Sequence, residues 1–246
     1  MRWIYISPHF DDAVLSCGGL IYEQTRQGNK VETWTVCGGY PPPGELSPLA
    51  QVCHFQWGTT TGRQTVSLRR KEDRQAAAIL GARTHHFRTP DCIYRRSAEG
   101  EQLYIYDVFS DRHPYESNLD LEISRELASA LHPEDILVCP LTIGRHLDHV
   151  LTRAAVERLG LHLWYYADIP YLLDHPEELA PATRDMNAEF FPVSEAGLQV
   201  WQAGIAAYKS QMMMLFETNE RMLSGIRGYW EAKLGIHLWK QPPAAA

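Results

Sequence analysis

Compact apolar runs alternate with amphipathic stretches along the first third of the chain. Arg2 to Ser7 is a short, aromatic-rich run of strand character. Asp11-Asp12 then opens a segment through Gln27, with carboxylates in its first turn and Gly28 at its end, as in a helix. Val31 to Cys37 is the next strand-like run and closes on Gly38-Gly39. Tyr40 to Gln64 is rich in Pro and Gly and predicts a long irregular loop, the kind of segment that serves as a lid or mobile element. Leu68 to Leu80 predicts a helix ending at Gly81, and His85-His86-Phe87 a strand leading into Pro90-Asp91.

Further on, Leu119, Ile123, Leu127 and Leu131 recur at every fourth position and mark one helix face. Ile136 to Cys139 is a buried strand stopped by Pro140. Val150, Leu151, Ala154, Ala155 and Leu159 trace an amphipathic helix, and Leu163 to Ala167 another strand. Leu198, Trp201, Ile205, Tyr208, Met212 and Phe216 predict one long late helix. Strands separated by helices imply βαβ crossovers and a largely parallel sheet covered by helices on both faces. The expected fold is therefore α/β: a Rossmann-like three-layer sandwich with a mostly parallel central sheet. One domain over residues 1–246 is expected, with a frayed tail from about 241 to 246.

Composition narrows the function. With 45% hydrophobic and 22% charged residues the chain reads as an ordinary globular protein. A net charge of -7 without a basic patch argues against nucleic acid as a partner. Five cysteines with no CxxC pair point to reduced thiols. No apolar stretch is long enough to span a bilayer and the first residues lack a signal-peptide core, so a cytoplasmic protein is expected. Self-association is left open.

Two clusters carry metal-ligand chemistry. Ser7-Pro8-His9-Phe10-Asp11-Asp12 follows the first strand directly, and Gly144-Arg145-His146-Leu147-Asp148-His149 follows the strand ending at Pro140. Both belong on the carboxyl edge of the sheet, where open parallel sheets bind ligands. Imidazole together with carboxylate suits zinc or a similar divalent ion, ferrous iron included. Each cluster taken alone also reads as a helix cap with satisfied histidines. No G-x-G-x-x-G follows the first strand and no phosphate-binding loop motif occurs, which sets aside a nucleotide-binding module.

The His9-Phe10-Asp11-Asp12 and His146-Leu147-Asp148-His149 runs together resemble the PIG-L/LmbE-like N-acetylglucosaminyl de-N-acetylases. The resemblance extends through Arg69, Glu72, Leu80-Gly81 and Asp91 to about Leu159, and Tyr208-Lys209-Ser210-Gln211 is a weaker match. Phe10 and Leu147 stand where the family most often has Pro, and Gly144 where some relatives carry a Tyr. The resemblance implies zinc held by His9, Asp12 and His149, with Asp11 as general base. His146 would stabilise the oxyanion or protonate the departing amine. Asp148 would orient a histidine or cap a helix, and Arg69 and Asp91 would contact substrate. It implies hydrolysis of an acetyl or small acyl group from an amino sugar or glycoconjugate. Two alternatives stand beside it: another amide of a natural product or glycopeptide, and a non-catalytic metal- or sugar-binding protein. Within the Tyr40 to Gln64 loop, His54, Phe55 and Trp57 are candidates to wall the sugar pocket.

Overall fold

The central strands are apolar without alternation because both of their faces are covered. In β1 (Arg2–Ser7) residues Ile4, Tyr5 and Ile6 are fully buried, and in β4 (Asp135–Pro140) so are Val138 and Cys139. These two strands lie side by side and parallel, with Tyr5 opposite Val138. The computed structural model describes residues 1–242, so the end of the expected tail, residues 243–246, lies outside the described residues.

Five further strands complete one sheet: β2 (Lys30–Thr35), β3 (Arg83–His86), β5 (Leu163–Tyr166), β6 (Asn187–Pro192) and β7 (Gly235–Lys240). Their order is β3-β2-β1-β4-β5-β7-β6. The first five are parallel, while β7 runs antiparallel to both β5 and β6. The mostly parallel sheet read from the sequence is therefore present, with a two-strand antiparallel extension that the sequence did not mark.

Among the described residues ten α-helices connect or cover the strands: α1 (Asp12–Arg26), α2 (Pro48–Gln56), α3 (Gly62–Leu80), α4 (Leu119–Ala130), α5 (Leu147–Glu157), α6 (Tyr171–Asp174), α7 (Leu179–Ala182), α8 (Glu195–Ile205), α9 (Met212–Phe216) and α10 (Asn219–Glu231). α1, α3 and α8 pack on one another, while α4 packs on α5. The chain steps outward from β1 to β3, then returns to place β4 on the other side of β1. Crossovers in opposite directions from β1 open a crevice between β1 and β4 at their carboxyl ends.

Two expectations need correction. Tyr40 to Gln64 is not wholly irregular: α2 lies inside it, and α3 starts at Gly62 rather than Leu68. Helix-start signals were present but overshadowed by the neighbouring prolines. The Ser47 hydroxyl accepts from the Ala50 amide with Pro48 in the first turn, and the Thr61 hydroxyl accepts from the Gln64 amide. The long late helix breaks into α8 and α9. Its periodicity persists through the break because the intervening turn is pinned to α3. The Ser210 amide and hydroxyl both donate to Glu72, and the Tyr208 hydroxyl lies 2.8 Å from Asp73 Oδ1.

The C-terminal third reaches the site through α8. Trp201 packs flat on Gly18 of α1, where a β-carbon would collide with the indole, and its Nε1 donates to the Val14 carbonyl at 2.8 Å. Tyr208 then places its hydroxyl 2.9 Å from the Phe10 carbonyl, next to the first motif.

Candidate active site

Both motif loops leave the carboxyl ends of the adjacent strands β1 and β4, so their side chains meet at the crevice between them. The His9, His146 and His149 nitrogens lie within 4.8 Å of one another, and all three residues are buried. Asp12 sits between two of them: its Oδ2 is 3.4 Å from His9 Nδ1 and its Oδ1 is 3.4 Å from His149 Nε2. A tetrahedral site with bonds of about 2.0–2.1 Å needs donors separated by roughly 3.4 Å, the spacing that each Asp12 oxygen has to one histidine nitrogen. A second observation agrees: His149 Nε2 is buried and has no hydrogen-bond partner.

Each of these imidazoles is held by a carboxylate on its far side. His149 Nδ1 lies 2.8 Å from Asp168 Oδ1, while Asp168 Oδ2 accepts from the Ile143 amide at 3.0 Å. His9 Nε2 lies 3.1 Å from Asp148 Oδ2, which also accepts from the Cys92 amide. Such contacts fix the ring orientation and, in the neutral ring that a metal requires, hold the proton on the outer nitrogen so that the inner one is free to ligate. Of the two roles open to Asp148, its side chain takes the one toward His9. His146 instead caps α5, its Nδ1 accepting from the Asp148 amide at 3.1 Å.

Asp11 stands apart from the imidazoles. Its Oδ1 accepts from Arg69 Nη2 at 3.2 Å, and Arg69 Nη1 lies 3.7 Å from Asp91 Oδ2. Arg69 is buried between the rings of Trp57 and Phe10. It pairs with Asp11 rather than with Glu72, its neighbour one helical turn on. A cavity of about 370 Å³ opens over these groups, lined by His9, Asp11, Asp12, Arg69, Asp91 and His146 among others. Of the three loop candidates only Trp57 lines it. His54 is buried against the Tyr94 hydroxyl at 2.7 Å, and Phe55 is outside the lining residues.

The electrostatics follow from burial. Burial raises the Asp11 carboxyl above its usual range, and Arg69 opposes the rise. Burial works the same way on Asp12, but His149 and His9 outweigh it and hold Asp12 well below the usual range. For His146, burial and then the facing His9 and His149 keep the ring well below the ordinary histidine value, hence neutral. With Nδ1 accepting, its proton sits on Nε2.

The model of the PIG-L family, GlcNAc-PI de-N-acetylase, matches residues 4–159, a span that contains every residue of both motifs. The chain belongs to the PIG-L family. The de-N-acetylase expectation drawn from the motifs is met. A 2'-N-acetylparomamine deacetylase of Niallia circulans is 28% identical to this PIG-L chain, over 97% of the chain and 93% of the relative. The zinc-inhibited form of a teicoplanin deacetylase superposes with a TM-score of 0.84 at 25% identity, each chain covered in full. An A40926 pseudoaglycone deacetylase does so at 0.79 and 27%, over 100% of this chain and 98% of that one.

This PIG-L chain carries site residues that the sequence did not single out. Asp168 follows β5 by two positions, and the rule that found the two motifs, polar groups just past a parallel strand, points to it as well. Arg95 left no comparable signal. It is buried, with Nη1 2.6 Å from Asp148 Oδ1 and Nε 2.6 Å from Glu116 Oε1. Tyr171 lies edge-on to His149 at 5.6 Å between ring centroids, and it fills the space that a side chain at position 144 would need. Gly144 has φ +79°, a region that favours glycine, so that exchange of bulk suits the backbone.

Proposed function

We propose that this chain uses a zinc ion held by His9, Asp12 and His149 to hydrolyse the N-acetyl group of an amino-sugar unit in a larger glycoside. The observation that carries the reading is the unpartnered His149 Nε2, backed by Asp168 and facing Asp12 across from His9. Asp12 is preferred to His146 as third ligand because it is the carboxylate between the two histidines, its oxygens 3.4 Å from His9 Nδ1 and from His149 Nε2. When bound, the metal polarises the amide carbonyl and makes water a better nucleophile at neutral pH.

The chain's own groups supply the rest. Asp11, raised by burial, is a stronger base than an exposed aspartate and takes the proton from the attacking water. That proton is then available to the leaving amine. Arg69 aims Asp11 and is itself committed to Asp11 and Asp91, so its effect on substrate is indirect. Neutral His146 offers Nε2–H to the developing oxyanion, while Asp91 presents an oxygen to a sugar hydroxyl. A cavity of about 370 Å³ is at the small end for ligand sites and suits one sugar ring with its acetyl group. The named relatives are deacetylases of 2'-N-acetylparomamine, of teicoplanin and of A40926 pseudoaglycone. Removal of an acetyl group is the activity that all three names state.

The test is acetate release from a panel of N-acetylated amino sugars and their glycosides, with and without chelator. Hydrolysis abolished by chelator and restored by zinc is expected. Asp11→Asn should retain zinc yet lose about 10²–10⁴-fold in kcat, whereas Asp12→Ala should lose zinc. Stoichiometric zinc with no release from any member of the panel would overturn the reading.

A further inference from the structure

Behind the cavity, side chains from three elements converge on the first motif. Asp73 of α3 is fully buried, with Oδ2 2.6 Å from His86 Nε2 of β3 and Oδ1 2.8 Å from the Tyr208 hydroxyl. The same hydroxyl lies 2.9 Å from the Phe10 carbonyl. Tyr208 therefore stands between two oxygens with a single proton to give. A peptide carbonyl can only accept, so the Tyr208 proton belongs to Phe10 and the other contact needs a donor on the Asp73 side. That donor exists only if Asp73 carries a proton on Oδ1. Oδ2 is then left to accept from His86 Nε2–H, and every contact has one donor and one acceptor. An ionised Asp73 would claim the Tyr208 proton instead. The Tyr208 and Phe10 oxygens would then face each other at 2.9 Å with no hydrogen between them.

The charges around the group agree. Burial raises the Asp73 carboxyl above its usual range, against His86 of β3, Tyr208 beyond α8 and Arg69 on its own helix, all of which favour the ionised form. Arg69 is itself committed to Asp11 and Asp91, and the neighbouring Glu72 is taken up by Ser210. The chain of bonds ends beside the proposed general base. The Phe10 carbonyl and the Asp11 amide belong to one planar peptide group, so fixing the carbonyl fixes the plane from which the Asp11 side chain leaves. The Phe10 ring is held as well, edge-on to His86 at 5.2 Å and against Arg69, which aims Asp11. We propose that Asp73 is a carboxylic acid that keeps its proton at neutral pH, and that the chain from Asp73 O–H through Tyr208 O–H to the Phe10 carbonyl positions Asp11. Asp73 and Tyr208 are positioning residues that act through the backbone of the motif. The role rests on the de-N-acetylase reading above.

Asparagine reproduces the neutral acid, since its Nδ2–H can donate to Tyr208 while Oδ1 accepts from His86. The zinc-loaded enzyme is assayed on the best substrate of the N-acetylated sugar panel. Tyr208→Phe and Asp73→Ala break the chain and should lower kcat about ten- to hundredfold, with KM and zinc content unchanged. Asp73→Asn should restore kcat to within about twofold of the parent. The proton itself is read by infrared difference spectra of parent and Asp73→Asn at neutral pH, where the C=O stretch of a protonated carboxyl is expected in the parent alone. Stability gives a third reading. A carboxyl whose pKa is raised by folding loses stability as pH rises from its unfolded value through its folded one. The Tm of Asp73→Asn should therefore gain on that of the parent between about pH 5 and pH 7. A tenfold loss of kcat in a folded, zinc-loaded Asp73→Asn, or the absence of the carboxyl band from the parent, overturns the inference. So does parent-like kcat in both Tyr208→Phe and Asp73→Ala. If the parent hydrolyses no member of the panel, the de-N-acetylase reading falls and the positioning of Asp11 with it, whereas the infrared band answers for the Asp73 proton alone.

Discussion

Asp168→Asn isolates the contribution of a residue that touches neither the proposed metal nor the substrate. Asp168 is buried, and each of its oxygens accepts from one donor: Oδ1 faces His149 Nδ1 at 2.8 Å and Oδ2 the Ile143 amide at 3.0 Å. Asparagine has one acceptor oxygen, and the amide of Ile143 claims it because a backbone N–H cannot change its role. The new NH₂ then points at His149 Nδ1, which must become an acceptor, and the imidazole proton moves to Nε2. That is the nitrogen facing Asp12. Zinc would have to displace this proton and forgo the carboxylate's support. Loss of such a partner typically costs 10- to 100-fold in metal affinity, or about 1.4–2.8 kcal/mol. Competition with a chromogenic zinc chelator at fixed pH measures it directly, with a thermal scan of both proteins to show that the variant is folded. A folded variant whose zinc Kd stays within about twofold of the parent would refute the argument that Asp168 sets the tautomer of His149.

Three further outcomes follow from burial and charge. In the metal-free protein burial lowers the His149 pKa, but Asp12 and Asp168 outweigh it and push it up to about 9. A raised histidine contributes stability that is complete below about 6.5 and is lost as pH rises through about 9, so the apo Tm should fall across that window. Zinc loading in the same window should release protons, as an indicator dye in weak buffer would record, and a flat apo profile would contradict the assignment. Arg95→Leu strands Asp148 and Glu116 as buried charges and should cost about 3–5 kcal/mol in urea unfolding, with under about 1 kcal/mol arguing against a buried ion pair.

The sequence alone was enough for the parallel core and both motifs. A strand covered on both faces must be apolar throughout, and Ile4-Tyr5-Ile6 and Leu137-Val138-Cys139 are short, unbroken and each followed within a loop's length by a polar motif. The strand-to-helix position of His9 to Asp12 and of His146 to His149 could be read because it depends only on local order along the chain. Which motif lies beside which is different. That follows from β4 inserting next to β1, a pairing between residues more than a hundred positions apart, and no local pattern encodes it. The same holds for the directions of charged side chains. Arg69 could as well have met Glu72 on its own helix, and only the approach of α3 to the first motif commits it to Asp11. Asp148 turned to His9 and Asp168 to His149 for the same reason: a carboxylate buried by tertiary packing must find whichever donor the fold brings within reach. Periodicity likewise ran through the turn between α8 and α9, because Tyr208 and Met212 keep the spacing of a helix while Asp73 and Glu72 of α3 hold Tyr208 and Ser210 in a turn.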